Sequence, residues 1–203
     1  MLEEVSEKSL NKFESAHAFS RRWLELRDEC QHKDGGYSHF GISINFLVAF
    51  SCSKENYKWL CDSGFHPIPI TRSTIRNMTY DQARGVLMRN YWYPLALDEI
   101  PIQIACILYD TALMYDKNVA VRLIQRAFNR CVLYGYKLVI SGTMDNDTKH
   151  ALRVTNTKAL WECALDESMK YALSIAQNYP KYHEMSETWI DRINALGVFV
   201  RNL

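Results

Sequence analysis

A chain of 203 residues is long enough for one sizeable core, or for two small lobes sharing one, and too short for two independent large domains. Its 48% apolar residues and balanced charges, 24 basic against 23 acidic, exclude a disordered or fibrous protein and give no electrostatic footprint for nucleic acid. A net charge of +1 supplies no global steering toward an anionic polymer, so binding of one would need a local cleft.

No apolar run approaches the roughly 20 residues needed to cross a bilayer. The start MLEEVSEKSLNKF is acidic and amphipathic, unlike a secretory signal, so the chain is expected to be cytoplasmic as made. Over residues 9 to 29, Phe13, Ala16, Phe19, Trp23 and Leu26 recur at helical steps, which predicts a helix with one buried face. Gly35 and Gly36 end any helix before them. The segment GISINFLVAF reads as a short strand or turn running into a buried helix, and periodicity alone does not separate the two. Gly64, Pro67 and Pro69 force an extended excursion, because proline and the residue before it resist helix. Thr79 to Gln82 is a capping box that predicts a helix to about Tyr91.

After Pro94, Pro101 is expected in the first turn of a helix apolar nearly all round and central to the fold. Residues 118 to 132 carry Val119, Leu123, Ala127 and Cys131 on one helical stripe. The cluster SGTMDNDT is a turn, with Thr148 or Asp147 as the next helix cap. Helices are predicted over 157 to 178 and 186 to 199, separated by Pro180. Asp110 is expected to be a buried structural acid, and Trp23, Trp161 and Trp189 core residues. The six cysteines (Cys30, Cys52, Cys61, Cys106, Cys131, Cys163) form no CxxC pair or zinc-like spacing. Most are expected as buried thiols, without disulfides. His32, His39 and Cys30 lack a fourth ligand at a usual spacing, so neither metal nor cofactor is expected.

The segment from His32 to Ser43, HKDGGYSHFGIS, carries the chemistry together with Glu25, nine positions before Asp34. An acid on a helix end, a second acid in a glycine-bent turn and a hydroxyl soon after are what a glycosidase needs to flank a sugar bond. Glu25 is expected to be the general acid, its proton retained by packing against apolar residues such as Trp23 or Phe40. Asp34, in a more polar turn, would stay ionised and stabilise the growing positive charge or orient a water, which Ser38 would position. Glu29, which also ends the first helix, is the alternative acid. Gly35 and Gly36 let the backbone lie close to a sugar ring, while Tyr37, Tyr91 and Trp92 are candidate stacking surfaces. For Trp92 burial in the core is the competing reading.

These residues also carry a resemblance. Glu25, eight residues, then Asp34, Gly35, Gly36, Tyr37, Ser38, His39, Phe40, Gly41 and Ile42 follow the order of a motif E, eight residues, DPGG, one residue, T, two residues, GI. Tyr91 and Trp92 in RNYWYPL look like a YW that follows it, and IPIQIACILYDTAL looks like LPxxxAxxLFDxAxN. Further on, Gln125 sits in an LQxA-like LIQRAF, SGTMDNDT looks like DGxxGPxT, and TWIDRI looks like GWxxR. In this collinear order the chain resembles glycoside hydrolase family 108, a lysozyme-like muramidase family often paired with a C-terminal peptidoglycan-binding segment. It departs from that pattern in five places. LRD follows Glu25 in place of GGY, and no proline stands between Asp34 and Gly35. Ser38 replaces threonine, Met114 asparagine, and Asp145 a turn glycine.

The resemblance implies a mainly α, lysozyme-like helical fold with a short turn or hairpin at the active site. Residues 1–95 would form the catalytic segment and 96–203 a helical peptidoglycan-binding segment packed on it as one compact body. It implies an N-acetylmuramidase cleaving the β-1,4 bond between N-acetylmuramic acid and N-acetylglucosamine, with peptidoglycan glycan strands as partner. The settings implied are phage lysis as an endolysin, or passage of large assemblies or toxins through the wall as a secretion activator. Without a signal peptide, a holin or an export system would carry the chain to the periplasm or cell wall. The rival expectation is a non-catalytic wall-binding or adaptor protein that kept the fold and lost the acid. A helical partner-binding module unrelated to sugars leaves the DGGYSHFGIS turn unexplained.

Overall fold

The computed structural model describes residues 7–25, 37–66, 69–132, 135–155 and 158–203. The fold is mainly α and lysozyme-like, with ten α-helices and one two-stranded hairpin among the described residues. The chain divides into two compact units, one of Ser20–Asn90 and one that joins the residues up to Phe19 with Tyr91–Leu203. Residues 7–19 group with the C-terminal segment rather than with the one that follows them in sequence.

The predicted stripe of Phe13, Ala16 and Phe19 forms the buried face of α1 (Glu7–Glu25), which runs from one unit into the other. Residues 26 to 29 of the expected helix lie outside the described residues. In the unit of Ser20–Asn90, β1 (Ser38–His39) pairs antiparallel with β2 (Ile42–Ser43), and α2 (Ile44–Ser51) follows at once. The ambiguous GISINFLVAF is therefore a strand and then a helix, and the switch has a local cause. Ser43 leaves the strand with extended backbone and its hydroxyl accepts from Phe46 N at 3.1 Å, which satisfies one free donor of the first turn.

Ser53 caps α3 (Lys54–Asp62) in the same way, accepting from Asn56 N at 3.2 Å, and Thr71 caps α4 (Arg72–Arg76). The predicted box at α5 (Tyr80–Leu87) is reciprocal. Gln82 N donates to Thr79 Oγ1 at 3.2 Å and Thr79 N to Gln82 Oε1 at 2.9 Å. Gln82 also donates from Nε2 to Ser63 O at 2.9 Å, so the cap ties α5 to the end of α3. On α5, Gly85 faces the Trp59 indole, and a β-carbon there would stand 2.5 Å from the ring. Glycine is what lets the two helices approach this closely. Ile42, Leu47, Leu60, Phe65, Ile75 and Val86 fill the core of this unit.

A π-helical turn, Met88–Trp92, and a short 3-10 turn, Leu97–Glu99, lead into the second unit. Pro101 stands directly before α6 (Ile102–Met114), and its carbonyl accepts from Ala105 N at 2.9 Å. Helix α6 is buried along most of its length, as its all-round apolar pattern predicts. Asp110, at 0% exposure within it, accepts from Arg192 Nη2 at 2.7 Å and Nε at 3.0 Å, the structural role expected of it. Lys12 of α1 donates from Nζ to the carbonyls of Leu97 (2.8 Å), Asp98 (3.1 Å) and Ile100. Burial, foremost, lowers the pKa of this ammonium, with Asp98 opposing.

Helix α7 (Lys117–Cys131) is capped by Asp116, which accepts from Val119 N at 2.8 Å. The cap of α8 (Asn146–Val154) corrects an expectation. Asp145, not Thr148 or Asp147, accepts from Thr148 N, at 2.7 Å. Thr148 is drawn inside the helix because its hydroxyl is wanted elsewhere. It accepts from Nε2 of the buried Gln125 at 3.0 Å. Gln125 Nε2 also donates to Thr143 O at 3.2 Å, while its Oε1 accepts from Gly142 N at 3.0 Å. One buried amide thus holds the turn 141–143 onto α7.

Helix α9 (Lys158–Asn178) packs on α7. After the 3-10 turn Pro180–Tyr182, α10 (His183–Arg201) begins three residues earlier than expected. Trp189 and Ile193 of α10 bury against Ala172 of α9, surrounded by Met114, Leu165, Met169, Tyr182 and Met185. Trp189 is core as expected, whereas Trp23 and Trp161 are only half-buried.

The cysteines correct a further expectation. Among the five described, only Cys106 is buried; Cys131 and Cys163 are half-buried and Cys52 and Cys61 exposed, and all five are free thiols. Cys52 and Cys61 lie at the ends of the short helices α2 and α3, where little chain is left to cover them.

Candidate active site

Sequence reasoning places two acids, two glycines and a serine around one turn, all within or beside the unit of Ser20–Asn90. Asp34, Gly35, Gly36 and the alternative acid Glu29 lie outside the described residues, as does the side chain of Glu25. What is described is the chain on either side: the last turn of α1, which ends at Glu25, and the hairpin that starts at Ser38.

The hairpin is as short as a hairpin can be. Ser38 faces Ser43 and His39 faces Ile42, joined through Phe40 and Gly41 at φ of 51° and 73°. Two successive left-handed residues match the twist of the flanking strands, which is why such two-residue turns are favoured. Glycine adopts this conformation freely and phenylalanine does not, so Phe40 has to be held by contacts. Its ring stacks on His39 at 4.0 Å and meets Tyr80 edge-on at 5.8 Å. The Arg21 guanidinium of α1 lies 4.9 Å from the Tyr80 ring centre, a cation–π contact. His39 Nδ1 stands 3.3 Å from Ile75 O, and because a carbonyl only accepts, Nδ1 carries the proton. At the base of the hairpin, Tyr37 O accepts from Ile44 N at 3.3 Å.

One contact joins the hairpin to the end of α1. A β-carbon on Gly41 would lie 2.8 Å from Leu24 Cδ2 and 3.0 Å from Leu24 Cβ. Leu24 precedes Glu25, and Gly41 is three residues beyond Ser38. The helix end that carries one proposed catalytic group is thereby pinned to the hairpin that carries another. Ser38 is buried, at 4% exposure, and Tyr37 is half-buried.

The aromatic pair at the end of the expected catalytic segment belongs to the other unit. Trp92 is fully buried, edge-on to Phe13 at 5.3 Å and to Tyr109 at 5.8 Å, and its Nε1 donates to Asp98 Oδ1 at 2.8 Å. The expectation that Trp92 stacks on a sugar is corrected, because a ring with no exposed face has none to offer. Tyr91 is half-buried, edge-on to Tyr109 at 6.4 Å, with the Lys117 ammonium 6.0 Å from its ring centre.

Sequence reasoning missed Leu24, Arg21 and Tyr80 as supports of the hairpin, since their partners are distant in sequence. The GI that ends the motif was the one visible signal, for it marks Gly41. Among the described residues no group of three or more His, Cys, Asp or Glu could hold a metal ion. Nor is any described helix long and apolar enough to cross a membrane.

Residues 29–115 match the family model described as Glycosyl hydrolase 108. That span contains the segment DGGYSHFGIS, with the hairpin, and α6. It opens at Glu29, so Glu25 precedes it, and Gln125, SGTMDNDT and TWIDRI follow it. The structure titled "Structure of Brucella abortus SagA" is similar in fold, with a TM-score of 0.60 and 15% identity over 93% of this chain and 97% of that chain. No curated protein matches.

Proposed function

We propose that this chain, whose residues 29–115 belong to the glycosyl hydrolase 108 family, is a peptidoglycan hydrolase. Its reaction is cleavage of the β-1,4 bond between N-acetylmuramic acid and N-acetylglucosamine. The observation that carries the reading is the contact of Leu24 with Gly41. It links the helix end at Glu25 to the hairpin at Ser38, and the sequence between them holds the second acid and both glycines of the turn.

A muramidase must protonate the departing sugar oxygen and stabilise positive charge on the anomeric carbon. Two carboxyl groups do this when their surroundings hold them in opposite protonation states. Glu25 is the proposed acid, on the helix end packed beside Gly41, with Glu29 as the alternative. Asp34, in the polar turn, is the proposed anion. Ser38 is buried, so a water it positions would be held within the turn rather than exchanged freely with solvent. Tyr37, half-buried, is the proposed sugar-stacking surface of this unit. The C-terminal segment, with its turn held by Gln125, is the proposed wall-binding part. Action on peptidoglycan would take place in the periplasm or wall, reached through a holin-like pore or an export system.

A second reading, a wall-binding or adaptor protein that has lost the acid, is favoured by two observations. The family match begins after Glu25, and LRD stands where GGY follows the acid in the family pattern. The test is release of new reducing ends from purified peptidoglycan by wild type, Glu25→Gln, Glu29→Gln and Asp34→Asn at equal folded concentration. Loss on replacing one glutamate alone, together with loss in Asp34→Asn, is the expected result and names the acid. Binding without release by wild type on several wall types would establish the second reading.

A further inference from the structure

Cys131 is the last residue of α7, and its thiol donates to the Ala159 carbonyl of α9 at 3.3 Å. In an α-helix that carbonyl is the acceptor of the amide four residues on, which here belongs to Cys163. A helical side chain leans back over the turn N-terminal to it, so the Cys163 thiol leans toward the carbonyl that the Cys131 sulfur touches. The Cys163 thiol is near enough to contribute to raising the pKa of the Cys131 thiol.

The register of the two helices at this level is set by a charged clamp. Arg130, the neighbour of Cys131, donates from Nη1 to Asp166 Oδ2 at 2.5 Å and to Glu167 Oε1 at 2.6 Å, just beyond Cys163 on α9. Both cysteines are half-buried, open enough for a small reagent to reach. Cys106, by contrast, is buried.

We propose that Cys131 and Cys163 are a redox pair that closes a disulfide between α7 and α9 when the folded chain meets an oxidant of the small-molecule disulfide class. The thiolate of Cys163 attacks one sulfur of the oxidant RSSR, forming a mixed disulfide and releasing RS⁻. The thiolate of Cys131 then attacks the Cys163 sulfur, forming the internal bond and releasing the second RS⁻. Two thiols are oxidised to one disulfide, RSSR is reduced to two RSH, and the protons of Cys131 and Cys163 end on the two leaving thiols. The order follows from the surroundings of Cys131. Burial, and then the neighbouring Cys163 thiol, push its thiol pKa up, so the opening attack falls to Cys163.

The bond closes a loop that contains α8 and the turn held by Gln125. Such a link restricts the unfolded chain more than the folded one. Oxidation is therefore expected to raise the unfolding midpoint by several degrees. The proposal requires only the two thiols and stands apart from the wall-hydrolase reading.

The test uses the full chain, incubated folded with oxidised glutathione or with dithiothreitol, then mapped by non-reducing peptide mass spectrometry and melted. Wild type should yield one peptide pair joined through Cys131 and Cys163, and the oxidised form should melt higher. Cys131→Ser should carry a trapped glutathione on Cys163, whereas Cys163→Ser, which lacks the opening nucleophile, should take up far less. Wild type that stays folded with both thiols free, with two separate glutathione adducts, or with either cysteine joined elsewhere would overturn the proposal. So would the expected bond without any rise in the midpoint, because it would not then clamp the two helices. The wild-type arms decide the matter even if a serine variant fails to fold.

Discussion

Leu24 and Gly41 meet so closely that no β-carbon fits between them: one built on Gly41 would stand 2.8 Å from a Leu24 methyl. The contact joins residues 17 positions apart and encloses the whole of the turn proposed to hold Asp34. Gly41→Ala is penalised twice, by the clash and by a φ of 73° that L side chains rarely adopt. We expect it to lower stability by about 1–3 kcal/mol and to lower reducing-end release per folded molecule. Leu24→Ala removes the two closest approaches, those of the Leu24 methyls, and leaves the 3.0 Å approach to Cβ and the backbone penalty. A double-mutant cycle by urea denaturation should therefore show Gly41→Ala costing less in the Leu24→Ala background. Strictly additive costs would mean that the helix end is not held here.

Trp92 serves stability rather than sugar binding. Trp92→Phe removes the Nε1 donor to Asp98 and part of a ring packed between Phe13 and Tyr109, for a loss of about 2–4 kcal/mol. Wall binding per folded molecule should not change. A variant with normal stability and impaired binding would restore the stacking role.

The Asp110 and Arg192 pair lies on two helices of one unit with both side chains nearly inaccessible, at 0% and 8% exposure. Removing one partner leaves a buried charge alone, so Asp110→Asn and Arg192→Met should each cost about 3–5 kcal/mol. Asp110→Leu combined with Arg192→Met should cost less than either single change, since no charge is then stranded. Denaturant midpoints of the three variants decide it; a double variant as unstable as the sum of its parts would refute the pairing.

Cys106 sets an alkaline limit. Burial foremost, then the Asp110 carboxylate, push its thiol from an ordinary 9.0 to about 12, with Lys12 opposing. Between those values the unfolded chain has lost this proton and the folded chain keeps it. Stability is therefore complete below pH 9 and falls above it, by up to about 1.4 kcal/mol per pH unit for this group. Cys106→Ala should show a flatter decline between pH 9 and 11 than wild type. Equal slopes would place the titration in other groups, such as the Tyr115 hydroxyl, whose pKa burial also pushes up.

Local chemistry made much of the fold legible. The Thr79 to Gln82 box, the stripe of Phe13, Ala16 and Phe19, and the apolar helix after Pro101 are each written within a few consecutive turns of chain. Where a residue had both a local and a distant claim on it, the local reading failed. Thr148 has the side chain of a cap, yet Gln125, 23 residues away, takes its hydroxyl and leaves capping to Asp145. Phe40 carries no mark of a left-handed turn residue; it occupies one because His39 and Tyr80 hold its ring.

The amino-acid sequence alone determined the class of fold, the start of α6 and the limits of α7 and α9 to within a residue, the buried acid at Asp110 and the residue types present between Asp34 and Ser38. These depend on periodicity, capping and residue type, which act over a few residues. Tertiary structure alone decided that Trp92 is core, that α1 divides its length between two units, that Leu24 closes on Gly41 and that Cys131 meets α9 at the Ala159 carbonyl. Each depends on which surfaces exclude water together, and that is settled only when segments far apart in the chain are packed.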